Sequence, residues 1–356
     1  MVLTRRAVTA YKSIIRWLPN EILTTMMLHL SQQDLVVLCR TSRLFRNLAT
    51  PLLYRCVSLS TDFQVNSFVR MITRRSATSL CHHVRQLYLT KVELKLSLTL
   101  VKSMTSVISR LVRLEVLDLF LGSPVEFTDL LRDAYFPHLT TFQYTLRKGT
   151  LLLLPAFLNR HPTISTLGLT RIEPIDINAE IALLDEPISL PNLGFYNGPS
   201  GMVRTFGPGN SIKSACLFWY PGDSDTARPL LHLGAIATSS LVALMPICLS
   251  DHPARVMIMQ SAATHLPHIR ILKFARLRGV AGRISREDAR EIATCLEKFS
   301  ALAILELDKR EDAVDNANLT HDRETILLWS GSCKSLLEIV LHGRVWISVR
   351  GHWRSA

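Results

Sequence analysis

A chain of 356 residues with 48% hydrophobic and 20% charged side chains has ample material for a buried core, which excludes general disorder. Its formal charge of +12 raises the question of an anionic partner, but the Arg are scattered along the whole chain, so nucleic acid is not the expected one. Seven cysteines, odd in number and without a C-x-x-C pair, exclude a zinc knuckle or thioredoxin-like motif and point to a reducing compartment, cytosol and/or nucleus.

Residues 1–15 are basic, carry no acid and lack a sustained apolar run, so a flexible leader and no secretory signal are expected. Pro19 then suits the first turn of a helix, with Glu21 in that turn and Ile22, Leu23, Met26, Met27 and Leu30 at helical spacing. Ser31 and Asp34 form a capping start for a second short helix carrying Leu35, Val36, Leu38 and Cys39. Ser42 caps a third with Leu44, Phe45 and Leu48 inward, and Thr50-Pro51 restarts it before Leu52, Leu53 and Tyr54. Three short helices in about 40 residues cannot enclose so many large side chains, since domains that small bury too little surface. The remainder must pack on the rest of the chain or on another protein.

The same residues resemble an F-box. The likeness lies in Leu18-Pro19-x-Glu21-Ile22-Leu23, in a Leu-bearing second helix after Asp34, and in Ser42-Arg43-x-Phe45-Arg46-x-Leu48-Ala49. The ending Pro51-Leu52-Leu53-Tyr54-Arg55 is similar to the fungal form, and the resemblance covers residues 16–59. F-boxes bind the small Skp adaptor of cullin–RING ubiquitin ligases. Leu18, Pro19, Ile22, Leu35, Leu38 and Phe45 are the adaptor contacts that the resemblance implies, Phe45 standing where many members place Trp.

Beyond Leu59 an apolar-x-x-apolar-x-apolar pattern recurs. It starts at Val84, Leu114, Leu139, Ile164, Leu193, Ile212, Leu241, Ile269, Leu302 and Leu336, at an average interval of 28 residues. The copies over 193–250 are weaker and read as irregular or broken. Pro137, Pro162, Pro191 and Pro267 each precede a copy by two residues. Helices are expected between copies: over 94–112, from Pro229 on, and after Ser285, which forms a capping box with Asp288. One strand and one helix per interval resembles the leucine-rich repeat over residues 80–345, with Val92, Gly122 and Arg147 in place of the usual Asn. The expected fold is therefore α/β: a short three-helix F-box over 16–59, a leucine-rich-repeat-like solenoid over 60–345 and a tail over 346–356. A compact α/β domain is the alternative. The stretch Leu230–Leu249 reaches membrane length, but it carries His232 and Pro246 and fits a repeat, so no membrane contact is expected.

No phosphate loop, nucleophile elbow or dinucleotide fingerprint occurs, and Gly198, Gly201, Gly207 and Gly209 read as a mobile loop. Neither Cys81-His82-His83 nor His265 with His268 supplies four metal ligands. Glu306–Glu324 mixes both signs and reads as a solvated loop, and it contains a glycosylation triplet at Asn318. No catalytic residue, cofactor or metal is expected. Alternate strand positions should instead line a face for an unidentified protein substrate, with Tyr88, Asp118, Phe120, Gln143, Lys273, Glu306 and Glu338 among them. The two resemblances together imply a non-catalytic substrate-recognition subunit of a Skp–cullin–F-box ubiquitin ligase. The alternatives are a non-ligase scaffold bound to the Skp adaptor and a basic repeat protein that binds RNA.

Overall fold

The computed structural model describes residues 18–74, 78–91, 97–121, 127–171, 177–182, 184, 186–220, 223, 225–237, 241–248, 255–276, 284–307 and 319–355. They belong to two compact units, residues 1–125 with 135–139 and residues 126–134 with 140–356.

The first unit opens with three helices, α1 (Asn20–Met27), α2 (Gln32–Thr41) and α3 (Arg43–Leu53). Ser31 caps α2 by accepting from the Asp34 N–H at 3.2 Å, and its hydroxyl also donates to Asp34 Oδ2 at 2.7 Å, which ties the two side chains together. Ser42 caps α3 by accepting from the Phe45 N–H at 3.1 Å. Pro51 does not restart α3 but lies inside it. It removes one i→i−4 donor, and the helix persists because Leu48, Leu52 and Leu53 all pack on one cluster built on Met27, Leu35 and Ala49.

A strand–helix series follows: β1 (Cys56–Leu59), α4 (Asp62–Thr73), α5 (Thr78–Cys81), β2 (Gln86–Lys91), α6 (Leu98–Ile108) and β3 (Val116–Leu121). β1 pairs in parallel with β2, and β2 with β3. The register aligns Leu59, Leu89 and Leu119 in one buried row and Ser58, Tyr88 and Asp118 in the adjacent row of the opposite face. β1 lies within the segment that the sequence assigned to the helical module. Its apolar pattern begins with Tyr54 and continues at Val57 and Leu59, the same spacing with an aromatic in first place.

The second unit continues the series. It contains α7 (Thr128–Asp133), β4 (Thr141–Leu146), α8 (Leu154–Asn159), β5 (Thr166–Arg171), α9 (Ile177–Ile181), β6 (Phe195–Pro199) and β7 (Ser214–Trp219). Then come α10 (Ala227–Ile236), β8 (Ala243–Cys248), α11 (Arg255–His265), β9 (Ile271–Arg276), α12 (Arg286–Leu296), β10 (Ile304–Leu307), α13 (Leu319–Ser332), β11 (Glu338–Leu341), β12 (Arg344–Val349) and β13 (His352–Ser355). β4 to β11 pair in parallel with their sequence neighbours. All ten copies of the apolar pattern form strands that begin two residues after the first apolar position. The inward row runs Phe142, Leu167, Tyr196, Ala215, Leu244, Leu272, Leu305 and Ile339, every one buried. Side chains bridge successive copies at the prolines: Asn192 Nδ2 donates to Pro162 O at 3.0 Å, and Ser211 Oγ to Pro191 O at 3.0 Å.

Three expectations change here. The copies over 193–250 are in register, and the short interval after β6 is filled by a 3₁₀ turn, Ser200–Thr205, in place of an α-helix. Gly198 lies in β6 and Gly201 in that turn; Tyr196 Oη donates to Pro199 O at 2.9 Å, and Met202, Val203 and Phe206 are buried. Apolar residues between Gly198 and Gly207 hold that part in the core, so the mobile loop read from the four glycines shrinks to the exposed turn at Gly209, whose φ is 94°. The chain end, expected as a tail, forms two antiparallel strands, β12 on β11 and β13 on β12. Both turns put two consecutive residues at positive φ, His342 (49°) with Gly343 (78°) and Arg350 (51°) with Gly351 (81°). That backbone matches the strand twist in two-residue hairpins. The signal is hard to read because His and Arg replace the usual Asn or Asp.

The membrane-length stretch divides between α10 and β8, and among the described residues no helix is long and apolar enough to cross a membrane. Of the acidic segment, 308–318 and with it Asn318 lie outside the described residues, while α13 begins at Leu319. Asp322 is not solvated: it is buried and its Oδ1 lies 2.9 Å from His342 Nδ1. Val92 and Gly122 also lie outside the described residues. At Arg147 the turn is held by Thr150, whose Oγ1 accepts from the Arg147 N–H and donates to its carbonyl, with Gly149 at a φ of 81°.

Candidate protein-interaction site

α1 is apolar on two faces. Leu23 and Met27, one turn apart, are buried, Met27 in the helical cluster, while Ile22 (48% exposed) and Met26 (60%), also one turn apart, are not. Leu18 and Pro19 precede them and are exposed too. α2 divides the same way, with Leu35 only 5% exposed and the adjacent Val36 and Val37 turned out. Leu28 and Leu30, between the two helices, and Leu44 on α3 add to the exposed apolar side chains. An apolar face beyond the one a helix needs for its own core is the surface on which a partner gains most. Each such side chain, once covered, contributes about 1.5–3 kcal/mol.

Of the six adaptor contacts implied by resemblance, Leu18, Pro19 and Ile22 are exposed. Leu35, Leu38 and Phe45 pack in or against the Met27–Leu35–Ala49 cluster, and Leu35 in particular is a core residue with no face left to offer. Leu38 and Phe45 are half-buried, so the correction is confined to Leu35, whose side chain the three helices need to hold one another. Leu44, expected inward, is exposed. Met26 and Val37 are not among those six; the two-sided apolar patterns of α1 and α2 are the signals that reveal them.

Residues 15–95 match the COS11 F-box domain. The match covers α1, α2 and α3 and runs on through β1 and α4 into β2, past the boundary at Leu59. That extension agrees with β1 being paired to β2. It spans under a quarter of the chain. No curated protein matches the chain.

The strand positions expected to meet a substrate fall in both units. In the first, Tyr88 and Asp118 are register partners, and Phe120 follows two residues on. Tyr88 Oη donates to Gln86 Oε1 at 3.3 Å. Asp118 is 6% exposed and accepts from the Phe120 N–H at 3.1 Å, and its burial pushes the carboxyl up to about 6 despite that bond. Tyr88 is raised as well, first by burial and then by Cys56 and Asp118. In the second unit Lys273 and Glu306 are register partners on β9 and β10, with Nζ 3.2 Å from Oε2. Glu338 stands on the next strand opposite Ile304, and Gln143 on β4 lies over Gly168. Phe195 and Met245 are exposed on the same face, at the alternate positions that the pattern assigns to it, although they are not among the residues named for it. Lys273 and Glu306 neutralise each other, so this part of the face carries no cationic stripe of the kind a phosphate backbone needs. Among the described residues no group of three His, Cys, Asp or Glu could hold a metal ion.

Proposed function

We propose that α1, α2 and their connecting turn dock a Skp adaptor through Leu18, Pro19, Ile22, Met26 and Val37, and that the strand–helix series is leucine-rich-repeat-like and holds a protein target. The observation that carries this reading is the second, outward apolar face of α1, which lies within the F-box match. The chain would then act as the substrate-recognition subunit of a cullin–RING ubiquitin ligase in the cytosol or nucleus. Its contribution to catalysis is positional: it holds a target lysine near a charged ubiquitin carrier and raises the effective concentration of the pair. The strand face of each unit is mixed, with Tyr88 and Phe120 among polar residues in the first and Phe195 and Met245 in the second, and supplies aromatic and apolar anchors for such a target.

Affinity capture of the full chain beside an Ile22→Asp/Met26→Asp variant tests this. The wild type is expected to retain the adaptor together with cullin, and the variant to lose both while keeping target proteins. Equal adaptor capture by the two chains would overturn the docking assignment. Capture of the adaptor without cullin would leave the docking face in place and establish a non-ligase scaffold.

A further inference from the structure

The three segments that lead into β1, β2 and β3 border an open surface cleft of about 320 Å³, on which Arg55 and Arg113 are exposed and for which adaptor docking and target binding have no use. It is lined by Arg55, His82, His83, Arg85, Arg113 and Glu115, with Pro51 and Leu52 as its apolar wall. The parallel ladder sets up this composition. Arg55 O accepts from the N–H groups of Arg85 (2.9 Å) and Gln86 (3.0 Å), and Arg85 O from those of Glu115 (2.7 Å) and Val116 (3.0 Å). Arg55, Arg85 and Glu115 therefore take equivalent places on adjacent strands, roughly 4.8 Å apart.

Two like charges side by side on neighbouring strands work against the fold. Glu115 relieves part of this, with Oε1 3.0 Å from Arg85 Nη1. Among the described residues the guanidiniums of Arg55 and Arg113 have no carboxylate or carbonyl partner, and Glu115 is the one acid in the lining. Cations thus outnumber anions by two before either imidazole is protonated. His83 responds to this field: its pKa is lowered first by burial and then by His82, Arg113 and Arg85. A tetrahedral oxyanion would end the repulsion and accept paired N–H donors from planar guanidiniums.

We propose that this cleft binds a phosphate-bearing anion, held by Arg55, Arg85 and Arg113 and bounded by His82 and His83. Glu115 keeps the Arg85 guanidinium in place without cancelling the other two. A volume of this size suits a small molecule or a single headgroup.

The test uses the full chain in two arms: thermal unfolding with sodium pyrophosphate at constant ionic strength, and sedimentation with phosphatidylcholine vesicles with or without phosphatidylinositol phosphates. A saturable rise in Tm identifies a soluble ligand, and selective sedimentation identifies a lipid headgroup. Arg55→Gln/Arg113→Gln is expected to weaken binding roughly tenfold or more, equivalent to losing a charge-assisted hydrogen bond. Without ligand its Tm should equal or exceed that of the wild type, because repulsion is relieved. Arg228→Gln/Arg286→Gln removes the same charge at exposed sites elsewhere and should leave binding unchanged. If the first variant does not fold, Arg55→Lys/Arg113→Lys replaces it, with charge kept, paired donors lost and the same weakening expected. No saturable response in either arm would overturn the proposal, as would binding that survives in whichever Arg55/Arg113 variant is folded.

Discussion

Asp118 shows what a single residue costs when a strand carries a carboxylate into a nearly closed position. The bond from the Phe120 N–H does not offset burial, so its pKa rises from 3.8 to about 6. Between those values the native state binds more protons than the unfolded chain, and stability therefore falls as pH rises through the window. A shift of that size corresponds to on the order of 2–3 kcal/mol of stability, fully present below pH 4 and fully lost above pH 6. Asp118→Asn should match the wild type near pH 4 and exceed it at pH 7.5, as urea unfolding across that range will show. Parallel pH profiles would contradict the burial argument. Gly234 on α10 makes a different kind of demand. A Cβ there would lie 2.5 Å from the backbone oxygen of His265, at the end of α11, which cannot swing away as a side chain could. Gly234→Ala should cost about 1–3 kcal/mol through overpacking, against the usual gain of Ala over Gly inside a helix. An unchanged Tm would show that α10 and α11 can move apart.

At the scale of elements, local chemistry was readable wherever a side chain acts on its own backbone. Ser31, Ser42 and Ser285 cap the helices that the sequence placed after them, each accepting from the N–H three residues on. Ser31→Ala should lower stability by about 1 kcal/mol, read as a shift in the unfolding midpoint. What spacing could not assign was which of two apolar faces looks outward. Leu35→Ala and Ile22→Ala separate the two cases. The first should cost about 2–5 kcal/mol in chemical unfolding because it hollows the cluster on Met27 and Ala49. The second should lie within about 0.5 kcal/mol, since Ile22 is half exposed. If both destabilise alike, Ile22 belongs to the core and the docking face is smaller. Pro51 carries the same lesson: a helix-breaking residue in sequence is tolerated where Leu48, Leu52 and Leu53 already anchor the turn around it.

At the scale of the molecule, the last strands of the second unit deal with a problem that every open parallel ladder has. β11 would present unpaired N–H and C=O groups at an edge, and β12 and β13 cover it while Trp346 joins the buried row beside Ile339. A chain ending at Leu341 should aggregate or unfold at lower temperature than the full chain, measured by light scattering during a thermal ramp. A truncated chain that stays monomeric with the same Tm would show that the hairpins contribute nothing to closure.

The sequence by itself determined where strands begin, because an apolar-x-x-apolar-x-apolar spacing fixes which residues turn inward, and all ten copies start a strand two residues after their first apolar position. It also marked the helix starts, whose caps depend on residues three apart, and the F-box resemblance that the matched residues 15–95 support. Only tertiary structure decided that Leu35, Leu38 and Phe45 turn inward, that β1 and the terminal hairpins extend the pairing, and that Asp322 is buried against His342. It alone set Arg55, Arg85 and Arg113 around one cleft. Those outcomes depend on packing and register, which bring together residues as close as Ile339 and Trp346 in a hairpin or as distant as Arg55 and Arg85, and leave no local period to read.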